Sequence, residues 1–136
     1  LTKQLEMLDY IRVGGSRWKK DKEIFYFDLF SGNNIHTTEL LDSPLEEGKN
    51  LALKEYSHLY IGILNDYDLI CSKLIRGTRV DYEDCVMLFK AHKEKIDIEK
   101  LTAHFNELLL YEIAEDRLRH NIDYFVEHLR EKGLYG

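Results

Sequence analysis

At Asn65 the apolar residues of this chain stop alternating, and from there to the C-terminus they recur about every 3.6 positions. A period of two belongs to strands and a period near 3.6 to helices. A chain that holds both in successive blocks, with no low-complexity linker between them, is expected to fold as α+β. The architecture expected is a small mixed β-sheet over residues 1–64, with an all-helical half over residues 65–136 packed on it in one compact domain. Composition sets no obstacle. The 136 residues are 44% hydrophobic and 32% charged with a single proline, a profile of globular chains rather than disordered ones. At this length an apolar core needs neither metal nor disulfide to close it.

Four apolar stripes define the helical half. Tyr67, Ile70, Cys71 and Leu74 mark a helix that ends before Gly77, and Tyr82, Cys85, Val86 and Phe89 mark the next. Ile98, Leu101, Phe105 and Leu108 follow Asp97, a natural N-cap. Leu118, Ile122, Phe125, Val126 and Leu129 complete the set. In the first half, Leu5, Leu8 and Ile11 predict a helix stopped by Gly14-Gly15. Residues 23–30 predict a strand, in which Ile24, Tyr26, Asp28 and Phe30 share a face that should be at least partly buried. A turn over Ser31-Gly32-Asn33-Asn34 then leads to a return strand at residues 35–41. A short helical turn is expected from Ser43-Pro44 to Gly48, and a strand near residues 51–54. The apolar run 58–64 reads as a strand covered on both faces.

Charge and cysteine usage narrow the function classes. Lys and Arg total 19 against 25 Asp and Glu, a net charge of −6, which argues against duplex DNA bound by counterion release. A helix–turn–helix reading of residues 66–92 fails on the same ground, because the recognition helix would open with Asp81, Glu83 and Asp84. No apolar run approaches the ~20 residues that span a bilayer, so no membrane partner is expected. Cys71 and Cys85 fall within helical stripes and read as reduced core thiols of a cytoplasmic protein.

Three constellations could carry chemistry. Asp28 is a carboxylate on a largely apolar strand, where an unpaired charge is costly. Asp66-Tyr67-Asp68 has the acidic–apolar–acidic pattern that holds Mg²⁺ on a strand, but at a helix start such carboxylates also serve free N–H groups and the helix dipole. Lys73 and Arg76 share a face of one helix, Asp81 and Asp84 a face of the next, and Gly77-Thr78-Arg79 joins them. That set is either an ion-pair cluster fixing two helices or a cation, Lys73, presented to a triphosphate by an acidic pair. His120 and His128, near Asp123 and Glu127, read as a solvated helix surface.

Tyr60-Ile61-Gly62-Ile63-Leu64-Asn65-Asp66-Tyr67-Asp68-Leu69-Ile70, then Ser72-Lys73-Leu74-Ile75-Arg76-Gly77, then Asp81-Tyr82-Glu83-Asp84, resembles the second half of minimal prokaryotic nucleotidyltransferase-like proteins, relatives of abortive-infection toxins. Phe27-Asp28-Leu29-Phe30 and residues 35–41 join the resemblance. It implies a nucleotidyltransferase-like fold that transfers a nucleoside monophosphate from an NTP to an acceptor with Mg²⁺. Asp28 would be the third metal or base carboxylate, Lys73 and Arg76 the nucleotide contacts, and Asp81 and Asp84 their supports. No acidic–apolar–acidic strand precedes Asp28. With its start at Leu1, the chain therefore reads as the C-terminal portion of a longer protein, catalytically incomplete by itself. The alternative is a non-enzymatic module of the same fold that binds a partner protein or forms a homo-oligomer, because a sheet lacking strands exposes edges and apolar surface.

Overall fold

The computed structural model describes residues 2–136, which fall into two compact units, Leu1–Ser31 and Gly32–Gly136. The protein is α+β with a helical C-terminal half. Its strands make three separate antiparallel pieces rather than one mixed sheet.

In the first unit, helix α1 (Thr2–Met7) is followed by strands β1 (Tyr10–Gly14), β2 (Arg17–Lys20) and β3 (Tyr26–Asp28), paired in that order. The first helix is shorter than its leucine spacing predicts. Asp9 takes a left-handed φ of 65°, and Tyr10-Ile11-Arg12-Val13 continues as a strand because its β-branched and aromatic residues suit an extended chain. Gly14-Gly15 is then the turn of the β1–β2 hairpin rather than a helix stop; Gly15 has a φ of 50°. Among the described residues of this unit, Trp18 and Leu5 are the buried ones. Trp18 lies opposite Phe27, and Tyr10 meets Phe27 edge to face at 5.4 Å. The strand predicted over 23–30 shrinks to Tyr26–Asp28, and its Ile24–Tyr26–Phe30 face is exposed, Ile24 by 89%. A single-layered sheet covers one face only, and Trp18 occupies that one.

The second unit begins with a hairpin of two-residue strands, β4 (Asn34–Ile35) and β5 (Thr38–Glu39). The segment 35–41 thus folds on itself at His36, whose φ is 53°, instead of returning as one strand. Residues 43–49 form successive turns, with Glu46 N–H donating to Ser43 O and Lys49 N–H to Glu46 O, rather than a helical turn. Strands β6 (Asn50–Glu55) and β7 (Tyr60–Leu64) pair antiparallel with a bulge between Ala52 and Lys54. The apolar run that becomes β7 is exposed rather than covered, with Tyr60, Ile61 and Ile63 all open to solvent.

Four helices complete this unit: α2 (Asp66–Arg76), α3 (Arg79–His92), α4 (Ile98–Leu109) and α5 (Glu115–Glu131). Every predicted stripe is their inward face, and Cys71, Leu74, Cys85, Leu101, Phe105, Phe125 and Leu129 are wholly buried. Phe89 of α3 and Phe125 of α5 meet edge to face at 6.5 Å. Asn65, Thr78 and Asp97 cap α2, α3 and α4 through their side chains. Gly77 closes α2 with a φ of 64°. There Asn121 of α5 donates through Nδ2 to the Leu74 carbonyl at 2.8 Å, tying the end of one helix to the side of another.

Candidate functional site

The α2–α3 junction brings four of the predicted site residues together. The two-residue connection Gly77-Thr78 reverses the chain so that the last turn of α2 faces the first turn of α3. Lys73 Nζ donates to Asp84 Oδ2 at 2.6 Å and lies 3.9 Å from Asp81 Oδ1. Arg76 grips Asp81 with both arms, Nε to Oδ2 at 2.8 Å and Nη2 to Oδ1. Thr78 adds its hydroxyl at 2.6 Å and its N–H at 3.1 Å to Asp81 Oδ2, while Asp81 N–H donates back to Thr78 Oγ1. Asp81 is therefore the capping-box partner of α3 as well as an ion-pair partner.

This carboxylate is fully buried and holds well below the usual carboxylate range, chiefly through the Arg76 guanidinium and then the Thr78 donors, against the opposing effect of burial. Arg76 is correspondingly raised by its bond to Asp81. Two cations meet two carboxylates, so the cluster is charge-compensated from within. Its geometry is that of an ion-pair lock between helices. An incoming phosphate would have to take Lys73 from Asp84, which is the half-exposed member of that pair.

Asp28 ends β3 in the first unit. Ser16 Oγ donates to its Oδ1 at 3.1 Å, and Arg17, its cross-strand partner, reaches Oδ2 at 3.4 Å. Arg17 also lies over the Tyr26 ring at 4.1 Å. The charge on a mostly apolar strand is thus answered by a neighbouring cation and a hydroxyl. Among the described residues no three His, Cys, Asp or Glu side chains converge as metal ligands. The charged group beside Asp28 is the Arg17 guanidinium, which answers the carboxylate from within the same unit. Asp28 and the Lys73 cluster belong to different units, each with its partners inside its own unit.

The acidic–apolar–acidic triplet is not a paired-carboxylate site either. Asn65, not a carboxylate, caps α2 by accepting Asp68 N–H at 2.9 Å. Asp66 bonds His92 Nδ1 of α3 through both oxygens at 2.9 Å. Asp68 is nearly buried between Asn65 Nδ2 at 2.6 Å and His104 Nε2 of α4 at 2.8 Å. The Tyr67 hydroxyl accepts Asp97 N–H at 3.0 Å. His92 and His104 escape a sequence reading because their partners lie 26 and 36 residues away, and only helix docking introduces them.

No helix of the described residues is long and apolar enough to cross a membrane. The chain matches no family model, and neither a curated protein nor a solved structure matches it.

Proposed function

We propose that this chain is an association module whose β6–β7 hairpin pairs with a second copy of itself. The observation that carries the reading is the free edge of β7. Its sequence, Tyr60-Ile61-Gly62-Ile63-Leu64, holds no charge and no proline, the devices that normally guard an exposed edge. Its neighbour β6 does carry Lys54 and Glu55. An isolated two-stranded hairpin is marginal in water, and this one exposes Leu51, Leu53, Leu59, Ile61 and Ile63. Antiparallel pairing of β7 with β7 extends the sheet to four strands, sets apolar residues against apolar residues and brings no like charges together. Light scattering after size exclusion tests the reading: the wild type is expected as a dimer, and Ile61→Lys with Ile63→Lys as a folded monomer. A wild-type monomer at high concentration overturns it.

The second reading keeps the nucleotidyltransferase-like resemblance, and the α2–α3 junction supports it. Lys73, Arg76, Asp81 and Asp84, which carry that resemblance, converge on one spot. In a full-length parent that transfers a nucleoside monophosphate from an NTP, Lys73 and Arg76 would contact phosphate while Asp81 and Asp84 orient them. Isothermal titration of ATP or GTP with Mg²⁺ checks this, with Lys73→Ala as the variant. No heat at millimolar nucleotide overturns the reading for this chain and leaves the dimer test untouched.

A further inference from the structure

Helices α3 and α5 pack so that Tyr82 and Tyr124 meet edge to face, with ring centroids 5.3 Å apart. One turn along α5, His128 stacks on Tyr124, nearly parallel at 9° and 6.0 Å. One further turn along stands Lys132, whose ammonium has no side-chain partner among the described residues. On α3, Arg79 stands about one turn before Tyr82. These side chains line a cavity of about 440 Å³ between the helices. Most of Tyr124 is exposed there, so an aromatic surface is offered to solvent rather than to the core.

The charge of the lining runs against the rest of the molecule. In a chain of net charge −6, Arg79 and Lys132 line this cavity with a single carboxylate, Glu83, while His128, also in the lining, lies 3.5 Å from Glu131, which is outside it. Arg79 lies 3.5 Å from Glu83, and both are largely exposed, so that pair is weak. Lys132 is left uncompensated. Stacked rings beside an unpaired ammonium suit a flat ring that carries an acid group. The volume falls in the range of small-ligand pockets, about 300–1,000 Å³, which holds a bicyclic ring and one anionic group but not a partner helix.

We propose that this cavity binds a small planar aromatic anion, its ring against Tyr124 and its acid group at Lys132 and Arg79. The site is independent of the β7 edge and of the α2–α3 lock. AMP and indole-3-acetate share this chemistry and separate its two sources, a nucleotide phosphate and an aromatic carboxylate. Adenosine and inorganic phosphate each supply half of it. Calorimetric titration of the folded protein should show at least one of the two aromatic anions binding more tightly than adenosine and phosphate, each by about tenfold or more. Tyr124→Ala should weaken that binding about 5- to 150-fold, the loss of one ring stack. Lys132→Ala should weaken it as well, and Lys49→Ala, on the other side of the chain sequence, should leave it unchanged. Both substituted side chains are exposed, and an unchanged far-UV spectrum verifies that the variants fold. The proposal is overturned if neither aromatic anion binds at about 5 mM, a free energy near −3 kcal/mol. It is equally overturned if phosphate alone binds as well as the tighter of the two aromatic anions, or if Tyr124→Ala and Lys132→Ala leave the affinity unchanged.

Discussion

Replacing Asp81 with alanine should destabilise the helical unit more than replacing any other charged residue of the α2–α3 junction. The carboxylate accepts from Arg76 Nε, Arg76 Nη2, Thr78 Oγ1 and Thr78 N–H, and it is wholly buried. Removing one partner of a buried ion pair costs about 3–5 kcal/mol, because the other charge is left uncompensated. Here the Arg76 side chain is 38% exposed and can recover water, which brings that part down to about 2–3 kcal/mol. The lost capping-box bond at Thr78 adds about 1 kcal/mol. A total near 3–4 kcal/mol should lower the melting temperature by roughly 10–20 °C for a unit of this size. Urea denaturation followed by far-UV circular dichroism measures it. A double-mutant cycle isolates the cause: once Asp81 is alanine, Arg76→Ala should add less than about 0.5 kcal/mol. A loss below about 1 kcal/mol for Asp81→Ala, or an Arg76→Ala cost that is the same in both backgrounds, refutes the lock.

Three further outcomes follow from the same coordinates. Because the folded pKa of Asp81 lies below its unfolded value, near 3.9, its stabilisation is complete above that value and is lost as pH falls through the folded pKa; acid titration of stability should therefore be flatter in Asp81→Asn than in the wild type. Gly77→Ala should cost roughly 1–2 kcal/mol in the same urea assay, because φ is 64° and a Cβ would stand 3.0 Å from Asn121 Nδ2 and 3.3 Å from the Leu74 carbonyl. Cys71 and Cys85 should resist a thiol reagent in the native state and react fully in denaturant, since burial raises both thiols, Cys85 to about 12; rapid native labelling would contradict the packing of α2 against α3.

The helical half was legible because an apolar stripe is a local signal. Gly77 and Asp97 end and open their helices as read, whereas the caps at Asn65 and Thr78 emerge only in the structure and α5 opens at Ala114 with no side-chain cap. The strand half was less legible because a strand's partner is not written in its own residues. Ile35 and Thr38 alternate as a longer strand would, yet they pair with each other. Leu5, Leu8 and Ile11 have helical spacing, but Ile11 is held by its ladder to Lys19. The predicted burial of Ile24 and of the β7 isoleucines failed for one reason: apolar alternation shows that a strand has a greasy face, not that another layer covers it. Of the candidate site, the Lys73–Asp84 and Arg76–Asp81 partnerships could be read from helix spacing and a short connection. The Arg17–Asp28 bond needed the β2–β3 register.

The same reasoning explains why Asp66 and Asp68 do different work from what their spacing suggests. Two carboxylates at i and i+2 point to one face of a strand, where they can share an ion. In a helix that spacing turns them about 200° apart around the axis, and these residues open α2. Asp66 therefore reaches His92 at the end of α3, while Asp68 reaches His104 in the middle of α4. A pattern that would gather charge on a sheet instead distributes it, and each carboxylate secures a different helix to α2. Lys73 and Arg76, at i and i+3, show the converse. Helical spacing keeps them on one side, and both find their acids on a single helix, α3. The N-terminal turn of α2 thus binds α3 and α4, while its C-terminal turn binds α3 by ion pairs and α5 through the Leu74 carbonyl, so α2 is the member around which the other helices are fastened.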